Sequence, residues 1–298
     1  MIFLVVSNNP SVAVLLSAYN GRSWIQEQVM SILSQKNTSI KIFISVDLSN
    51  DKTYELCQDL ARRNININLL PYGKKFGGAA KNFFRLMRDV DFSCFDYIAF
   101  SDQDDIWDEN KLFHAIMKIK QDNLDGYSSD VIAFWTNGRE KLVKKSFPQK
   151  KYDYLFQSAG PGCTYVMKKQ SIQRFKKFLI KNWSNVNLVE LHDWMVYAYF
   201  RSQGMKWKID SEPLLRYRQH DYNQFGLNSG LKAYSERLLK IRTKWYRNEV
   251  KKISDLLNGT CKGDSFLKKS FLIKNFWNLR RRPRDVIVLL FMIIFQIF

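Results

Sequence analysis

Cysteine is scarce in this chain, and Cys57, Cys94, Cys163 and Cys261 are spaced too widely for a zinc pattern or a compact disulfide framework. A reducing, cytosolic setting is therefore expected. Histidine is scarcer, with only His114, His192 and His220, so any imidazole chemistry must fall to one of three residues. No apolar run is long enough to cross a bilayer. The opening MIFLVVSNNPSVAV has no basic leader and is cut by Ser7, Asn8, Asn9 and Pro10, so a secretory signal is not expected. No internal repeat or low-complexity tract is found. Acidic residues are outnumbered 28 to 47 by basic ones, and the net charge of +19 favours polyanionic partners: nucleic acid, anionic lipid or diphosphate-bearing substrates. Helix-turn-helix, RNA-recognition and zinc signatures are absent, so nucleic acid is not the expected partner.

What is present is ample core, with 46% hydrophobic and 15% aromatic residues in 298. Val12 to Leu16 is a β-branched apolar run ending in a turn, Trp24 to Leu33 carries apolar residues at helical spacing, and Ile40 to Val46 returns to a strand. The alternation continues with a helix from about Lys52 to Arg63, a strand at Ile65 to Leu70, a helix from Ala79 to Met87 and a strand at Tyr97 to Phe100. This pattern predicts an α/β sheet with helices on both faces and ligands at the strand C-termini. Beyond Gly160 the chain is richer in helix, and Leu231 to Leu257 is amphipathic and basic. A domain change is expected near Ser229, giving a catalytic unit of residues 1–228 and a basic helical region of residues 229–298.

That region ends in Val286 to Phe298, almost wholly apolar, after the basic run Arg280-Arg281-Arg282-Pro283-Arg284. At about 1.5 Å per residue it reaches roughly 20 Å, short of the roughly 30 Å hydrocarbon core. A helix lying in the membrane interface, with arginines on anionic headgroups at about 1 kcal/mol each, is one reading. A buried terminal helix is the other.

Chemistry concentrates in two acidic turns that follow strands. Phe100-Ser101-Asp102-Gln103-Asp104-Asp105-Ile106-Trp107 packs three carboxylates together, which repel unless a cation sits among them. A hard divalent ion that also holds substrate phosphates suits such a cluster, and a solvated acidic turn is the bland alternative. In Ser45-Val46-Asp47-Leu48-Ser49-Asn50-Asp51, Asp47 at the strand end can accept from a uracil or thymine imide or merely close the turn, while Asp51 suits a helix cap. Phe76-Gly77-Gly78 lacks dinucleotide or Walker spacing, so its glycines point instead to close backbone approach to a ligand.

The ordered series Ser17 to Gly21 (SAYNG), Ser45 to Asp51 (SVDLSND), Phe76 to Phe83 (FGGAAKNF), Phe100 to Trp107 (FSDQDDIW), Gly160 to Thr164 (GPGCT), His192 to Trp194 (HDW) and Tyr217 to His220 (YRQH) resembles glycosyltransferase family 2, specifically its bacterial rhamnosyltransferase-like members. The resemblance covers roughly Ala13 to Gly226. It implies a GT-A (Rossmann-like) mixed sheet flanked by helices, with a helical C-terminal extension, and a metal-dependent inverting hexosyl transfer. The nucleotide-sugar side would comprise Ala18, Tyr19, Asn20, Asp47, Lys81, Asn82, Asp102, Gln103 and Arg218. A divalent metal, Mn or Mg, would be held by Asp102, Asp104 and His220. Asp193 would be the catalytic base, and Gly162, Cys163, Thr164, Trp107, His192 and Trp194 would lie toward the acceptor. The chain departs from the family where Val46 and Leu48 flank Asp47, since the family often has paired aspartates and a glycine in this turn. A Leu in place of Gly implies an altered turn conformation.

The SDQDDIW and HDW forms lean toward dTDP-L-rhamnose as donor, with UDP-galactose, UDP-glucose or UDP-N-acetylhexosamine as the alternative. The basic surface and apolar C-terminus suggest a polyprenyl-diphosphate-linked saccharide acceptor, in O-antigen or other surface polysaccharide synthesis, at the inner face of a cell membrane. A non-catalytic polyanion-binding protein is the rival class, which the presence of Asp102, Asp104 and Asp193 disfavours. On their own physics, His192 suits orienting Asp193, His114 reads as structural, and Arg216 and Arg218 are either diphosphate forks or surface arginines.

Overall fold

A computed structural model describes residues 9–220, 243–258, 263–295 and 297–298. The expected boundary at residue 229 and the Leu231 end of the basic helix lie outside the described residues. Strands β1 (Ser11–Ala18), β2 (Ser39–Val46) and β3 (Ile67–Leu69) alternate with helices Ile25–Leu33 and Thr53–Arg63. Helix Ala79–Asp89 then leads into β4 (Tyr97–Ser101). All seven elements predicted from periodicity are present, with ends shifted by a few residues. They continue into β5 (Ile106–Trp107), helix Lys111–Gln121, β6 (Gly126–Ser129), β7 (Val131–Phe134), β8 (Glu140–Val143), β9 (Val166–Lys168), β10 (Trp207–Asp210) and β11 (Leu215–Arg218). Helices Lys169–Lys181 and His192–Ser202 lie between β9 and β10.

The main sheet has the order β10-β6-β9-β4-β1-β2-β3. It is mixed, because β9 runs antiparallel to both β4 and β6 while β1, β2, β3 and β4 are parallel. The reason β1 reads as an unbroken apolar run is that both its faces are covered. Ala13 and Leu15 join a cluster with Phe83, Phe84 and Phe175 on one side, and Val12, Val14 and Leu16 join Ile25, Val29 and Ile116 on the other. Each such side chain contributes about 1.5–3 kcal/mol on burial. The parallel register pairs Ala18 with Val46 and Leu16 with Ser101, so the turns after β1, β2 and β4 emerge along one edge. A small second sheet, β5-β11-β7-β8, stands beside that edge.

The C-terminal helices Trp245–Asn258, Lys269–Asn275 and Pro283–Ile294 contribute Val250, Ile253, Leu272, Leu289 and Ile293 to the first cluster. The last helix is two-faced. Val286, Leu289 and Ile293 are buried, whereas Ile287, Val288, Phe291, Ile294 and Phe295 are each 49–66% exposed. The buried-helix reading therefore describes one face of it, and the other face is apolar and exposed. No described helix is long and apolar enough to cross a membrane. Cys57, Cys94 and Cys163 are free thiols, and Cys261 lies outside the described residues.

Candidate functional site

A cavity of about 740 Å³ opens at the C-terminal edge of β1, β2 and β4, where strand order reverses in α/β sheets and ligands bind. Tyr19, Asp47, Asn82, Asp102, Gln103, Asp104, Gly162, His192 and Asp193 all line it. These residues, from six of the seven sequence motifs, thus converge on one space.

The turns are tied to each other before any ligand arrives. Tyr19 N–H donates to Gln103 Oε1 at 2.7 Å, and Gln103 Nε2 donates back to the Tyr19 carbonyl at 2.8 Å. Asn20 accepts from Asn50 N–H and donates its own N–H to Ser49, bracing the turn after β2 rather than lining the cavity. Ala18 is buried, and its carbonyl accepts from Asp47 N–H. Asp47 Oδ1 accepts from the N–H of Leu48 and Phe76, and Oδ2 accepts from Gly77 N–H at 2.9 Å. Asp47 thereby fixes the Phe76–Gly77 loop while keeping lone pairs toward the cavity, and Gly77 takes φ +81°, a conformation L side chains avoid. Leu48 is not among the residues with positive φ, so the turn accommodates it without left-handed strain. Asp51 Oδ1 accepts from Thr53 N–H, but the N-cap of helix Thr53–Arg63 is Lys52, so Asp51 braces the turn one residue ahead of the helix and does not cap it.

Gly77, Gly78, Ala79 and Ala80 bring the N-terminus of helix Ala79–Asp89 into the cavity wall. Free N–H groups and the positive end of the helix dipole there suit an anion. Asn82 is buried, donating to the Ser45 carbonyl and accepting from Ser45 Oγ, which Arg85 also holds. Lys81 is exposed and does not line the cavity.

The acidic turn splits into two faces. Asp102 and Asp104 line the cavity, whereas Asp105 is buried on the far side next to Cys163 and Lys111. Burial, then the charges of Asp104 and Asp193, pushes the Asp102 carboxyl up to about 7. Carboxyl atoms of Asp102 and Asp105 and the Cys163 sulfur lie within 4.8 Å of one another. Asp105 Oδ2 is buried and has no hydrogen-bond partner among the described residues. This group shares only Asp102 with the expected set of Asp102, Asp104 and His220; a divalent cation at Asp102 would neutralise carboxylates that burial and mutual repulsion otherwise disfavour. His220 Nε2 lies 2.9 Å from Asp104 Oδ2, with its ring stacked on Trp24 at 4.0 Å. Arg218 donates from Nε to the Asp104 carbonyl and pairs with Glu27, so it braces the acidic turn instead of facing the cavity. Arg216 pairs with Glu140. His114 pairs with Asp210, a structural role.

Across the cavity, Asp193 sits in the first turn of helix His192–Ser202. Its Oδ1 accepts from Trp194 N–H at 2.8 Å. Burial raises its carboxyl to about 6, against the lowering pull of the Trp194 and Ser158 hydrogen bonds. Such a value suits a base that is ionised at neutral pH yet holds a proton well. His192 stacks on Phe83 at 3.8 Å, and burial pushes its imidazole down to about 3, so it is neutral at physiological pH. Gly162 allows these two residues their positions: a Cβ there would lie 2.7 Å from His192 Nε2 and 3.2 Å from Asp193 Cβ. Gly162→Ala is expected to push the Asp193 carboxylate out of place and lower turnover about tenfold or more, with donor affinity unchanged, since misplacement of a reacting group by about 1 Å costs on that scale. Steady-state kinetics beside donor titration checks this.

Four residues expected toward the acceptor are not brought to the cavity. Cys163 and Thr164 are buried in the short helical turn Gly162–Thr164, where Thr164 Oγ1 donates to the Pro161 carbonyl. Trp107 is buried with Lys111 Nζ 3.4 Å from its ring centre, and Trp194 is buried with Nε1 donating to the Tyr154 carbonyl. Conversely Lys75, Lys145 and Ser158 line the cavity without having been singled out, beside Tyr217 of the last motif and Glu190, an alternative carboxylate to Asp193. Lys145 falls in a basic stretch indistinguishable from a solvated one, whereas Lys75, next to Phe76-Gly77-Gly78, had a usable signal.

Comparison with known proteins accords with this geometry. Residues 13–180 match the model of glycosyl transferase family 2. The chain is 46% identical, over 290 residues, to the dTDP-rhamnosyl transferase RfbG of Shigella flexneri, an alignment spanning 95% of this chain and 100% of that one. It is 26% identical over 157 residues to the Escherichia coli UDP-Glc:alpha-D-GlcNAc-diphosphoundecaprenol beta-1,3-glucosyltransferase WfgD, covering 52% of this chain and 59% of that protein. In fold it is similar to S. aureus TarS (residues 1–349) in complex with UDP-GlcNAc, with a TM-score of 0.58 at 15% identity over 90% of this chain and 73% of that one. The fold is the GT-A fold that the motifs implied, and the chain belongs to glycosyl transferase family 2.

Proposed function

We propose that this protein transfers L-rhamnose from dTDP-L-rhamnose to a polyprenyl-diphosphate-linked saccharide during surface polysaccharide synthesis, with inversion at the anomeric carbon. The observation that carries the donor is 46% identity along the full length of a dTDP-rhamnosyl transferase. Asp47 and Tyr19 face the nucleotide, and the N-terminus of helix Ala79–Asp89 faces the diphosphate. Asp193 Oδ removes the proton from an acceptor hydroxyl, whose oxygen attacks the anomeric carbon as the bond to the diphosphate breaks on the opposite face. His192 stays neutral and, packed on Phe83, holds the start of the helix that carries Asp193. Cys163, Thr164, Trp107 and Trp194 act from beneath by fixing the turns above them.

A divalent cation, Mn or Mg, would be held by Asp102 and Asp104, with His220 beside Asp104. When bound, it supplies positive charge to the departing diphosphate.

The acceptor rests on three supports: the similarity to WfgD, which acts on a diphosphoundecaprenol-linked sugar; the net charge of +19; and the exposed apolar face of helix Pro283–Ile294. Residues 1–228 are then the catalytic unit, and residues 229–298 hold it peripherally on the anionic inner face of the cell membrane.

A thermal-shift panel tests the donor. dTDP-L-rhamnose with manganese is expected to raise the melting temperature more than UDP-glucose, UDP-galactose or UDP-N-acetylglucosamine, because a native-state ligand stabilises by mass action. A response confined to the UDP-sugars overturns the rhamnose assignment.

A further inference from the structure

A second cavity, about 340 Å³, lies between helices Trp245–Asn258 and Pro283–Ile294. This is within the range of small-molecule sites, roughly 300–1,000 Å³. Its walls include Tyr246, Val288, Met292 and Phe298, and its lining is overwhelmingly apolar. Val288 also belongs to the exposed apolar face of the last helix, so the cavity is continuous with that face. Charged groups stand at its margin: Lys244, Arg247 and Arg280, with Asp285 as the single acid.

Consecutive arginines are tied to the linings of both cavities. Arg280 lines the apolar cavity and donates from Nη1 to the Phe156 carbonyl and the Tyr246 hydroxyl, while its buried Nε has no acceptor among the described residues. Arg281 Nη2 donates to the Ser158 carbonyl, and Ser158 lines the catalytic cavity together with Asp193 and Lys145. Consecutive residues of the chain thus touch the linings of both cavities, Arg280 directly and Arg281 through Ser158. The Lys145 ammonium has no hydrogen-bond or ion-pair partner among the described residues. Burial lowers its pKa, and the nearby Arg281 and Arg280 charges lower it further. Asp285 and Asp193 oppose that lowering, Arg280 lies 3.5 Å from Asp285, and Arg281 pairs with buried Asp153 at 2.9 Å. The uncompensated positive charge therefore sits at the margin of the apolar cavity, where Lys244, Arg247 and Arg280 face Asp285 alone and an anion would be favoured.

From base to cation cluster to apolar cavity, the order of these features matches one kind of molecule: a sugar hydroxyl, a diphosphate and a hydrocarbon chain. We infer that the apolar cavity seats the first isoprene units of the acceptor lipid, with its diphosphate between Lys145 and Arg280 and its saccharide at Asp193. This rests on the lipid-linked acceptor reading above. It gives the chain end of that acceptor a place on the protein, so recognition of the lipid is built into the fold and does not depend on the bilayer alone.

Calorimetric titration of the full-length protein with farnesyl diphosphate, farnesol and inorganic diphosphate tests the assignment. Farnesyl diphosphate is expected to bind at least about tenfold more tightly than either of the other two. Val288→Glu, at a half-exposed position, and Met292→Trp, which fills the space, should each weaken farnesyl diphosphate about tenfold or more and leave the thermal shift from the donor unchanged. Lys145→Met should weaken farnesyl diphosphate and not farnesol. Unchanged farnesyl diphosphate affinity in both cavity variants, with a native circular dichroism spectrum, overturns the inference. So does displacement of the probe by equimolar phosphatidylglycerol, which would give the cavity to bilayer lipid. If the wild type binds farnesyl diphosphate yet transfers sugar to no diphosphate-linked saccharide, the acceptor reading falls and the assignment of the cavity to the acceptor lipid falls with it, while the cavity remains a polyprenyl-diphosphate site. If transfer to a polyprenyl-linked saccharide proceeds while the cavity variants bind the probe normally, the assignment falls and the acceptor reading stands.

Discussion

Asp193→Asn is expected to lower turnover by at least about a hundredfold at saturating donor and acceptor, the usual scale of general-base catalysis, while donor affinity stays normal. Asn keeps the size of Asp and can still accept from Trp194 N–H, so the start of helix His192–Ser202 should hold its geometry. The effect on stability distinguishes a base from a structural carboxylate. Burial raises the folded pKa of Asp193 to about 6, above the unfolded value of about 3.9. The folded state therefore binds this proton more tightly, and stability falls as pH rises from about 4 through about 6. Asn escapes that penalty, so the variant should be more stable than the parent at pH 7, by about 1–2 kcal/mol once contact with the open cavity is allowed for. A residue serving only as a cap would instead lose about 1 kcal/mol and keep its rate. Wild-type turnover should rise with pH through about 6 and level off above it. Denaturant melts at pH 4 and 7 beside steady-state kinetics separate the two cases.

Removing the carboxylates at Asp102 and Asp104 together, as the double alanine variant, should abolish transfer, a loss of at least about a thousandfold. Several kcal/mol of charge stabilisation on a departing diphosphate disappear with them. Asp104→Ala also leaves His220 without its carboxylate partner, so this single variant should be the more severe of the two. The fold should survive: burial raises the Asp102 pKa to about 7, so the charged carboxylate is a liability to stability near neutral pH. Manganese titration followed by thermal shift, compared between wild type and the double variant, checks the metal assignment independently of rate. Turnover at the wild-type level by the double variant in excess EDTA would remove the acidic turn from the mechanism.

The parallel half of the main sheet, β1 to β4, was legible in the sequence because β1 is covered on both faces, which forces a continuous apolar run followed by a turn; β6, β9 and β10, three or four residues each, were not. The second sheet was not. Its strands span two to four residues, and β5 pairs with β11 across more than a hundred positions of chain, so no local period marks them. The same separation hid the pairing of His220 with Asp104, for which only the resemblance supplied a reason. Motif membership also did not distinguish a lining residue from a buttress. Asp193 and Trp194 are adjacent on one helix, yet the first faces the cavity and the second packs beneath it with Tyr154 and Tyr246. Lys145 gave no sign at all, because its meaning comes from Arg280 and Arg281, more than a hundred residues away.

Inverting rhamnosyl transfer is the central claim, and the configuration of the product reports on it most directly. The protein would be incubated with dTDP-L-rhamnose, manganese and a diphosphate-linked saccharide, and the anomeric configuration of the new linkage read from its one-bond carbon–proton coupling. The expected result is a rhamnosyl product of configuration opposite to the donor, formed by the wild type and not by Asp193→Asn. A product that retains the donor configuration, or transfer from a UDP-sugar with none from dTDP-L-rhamnose, would contradict the account.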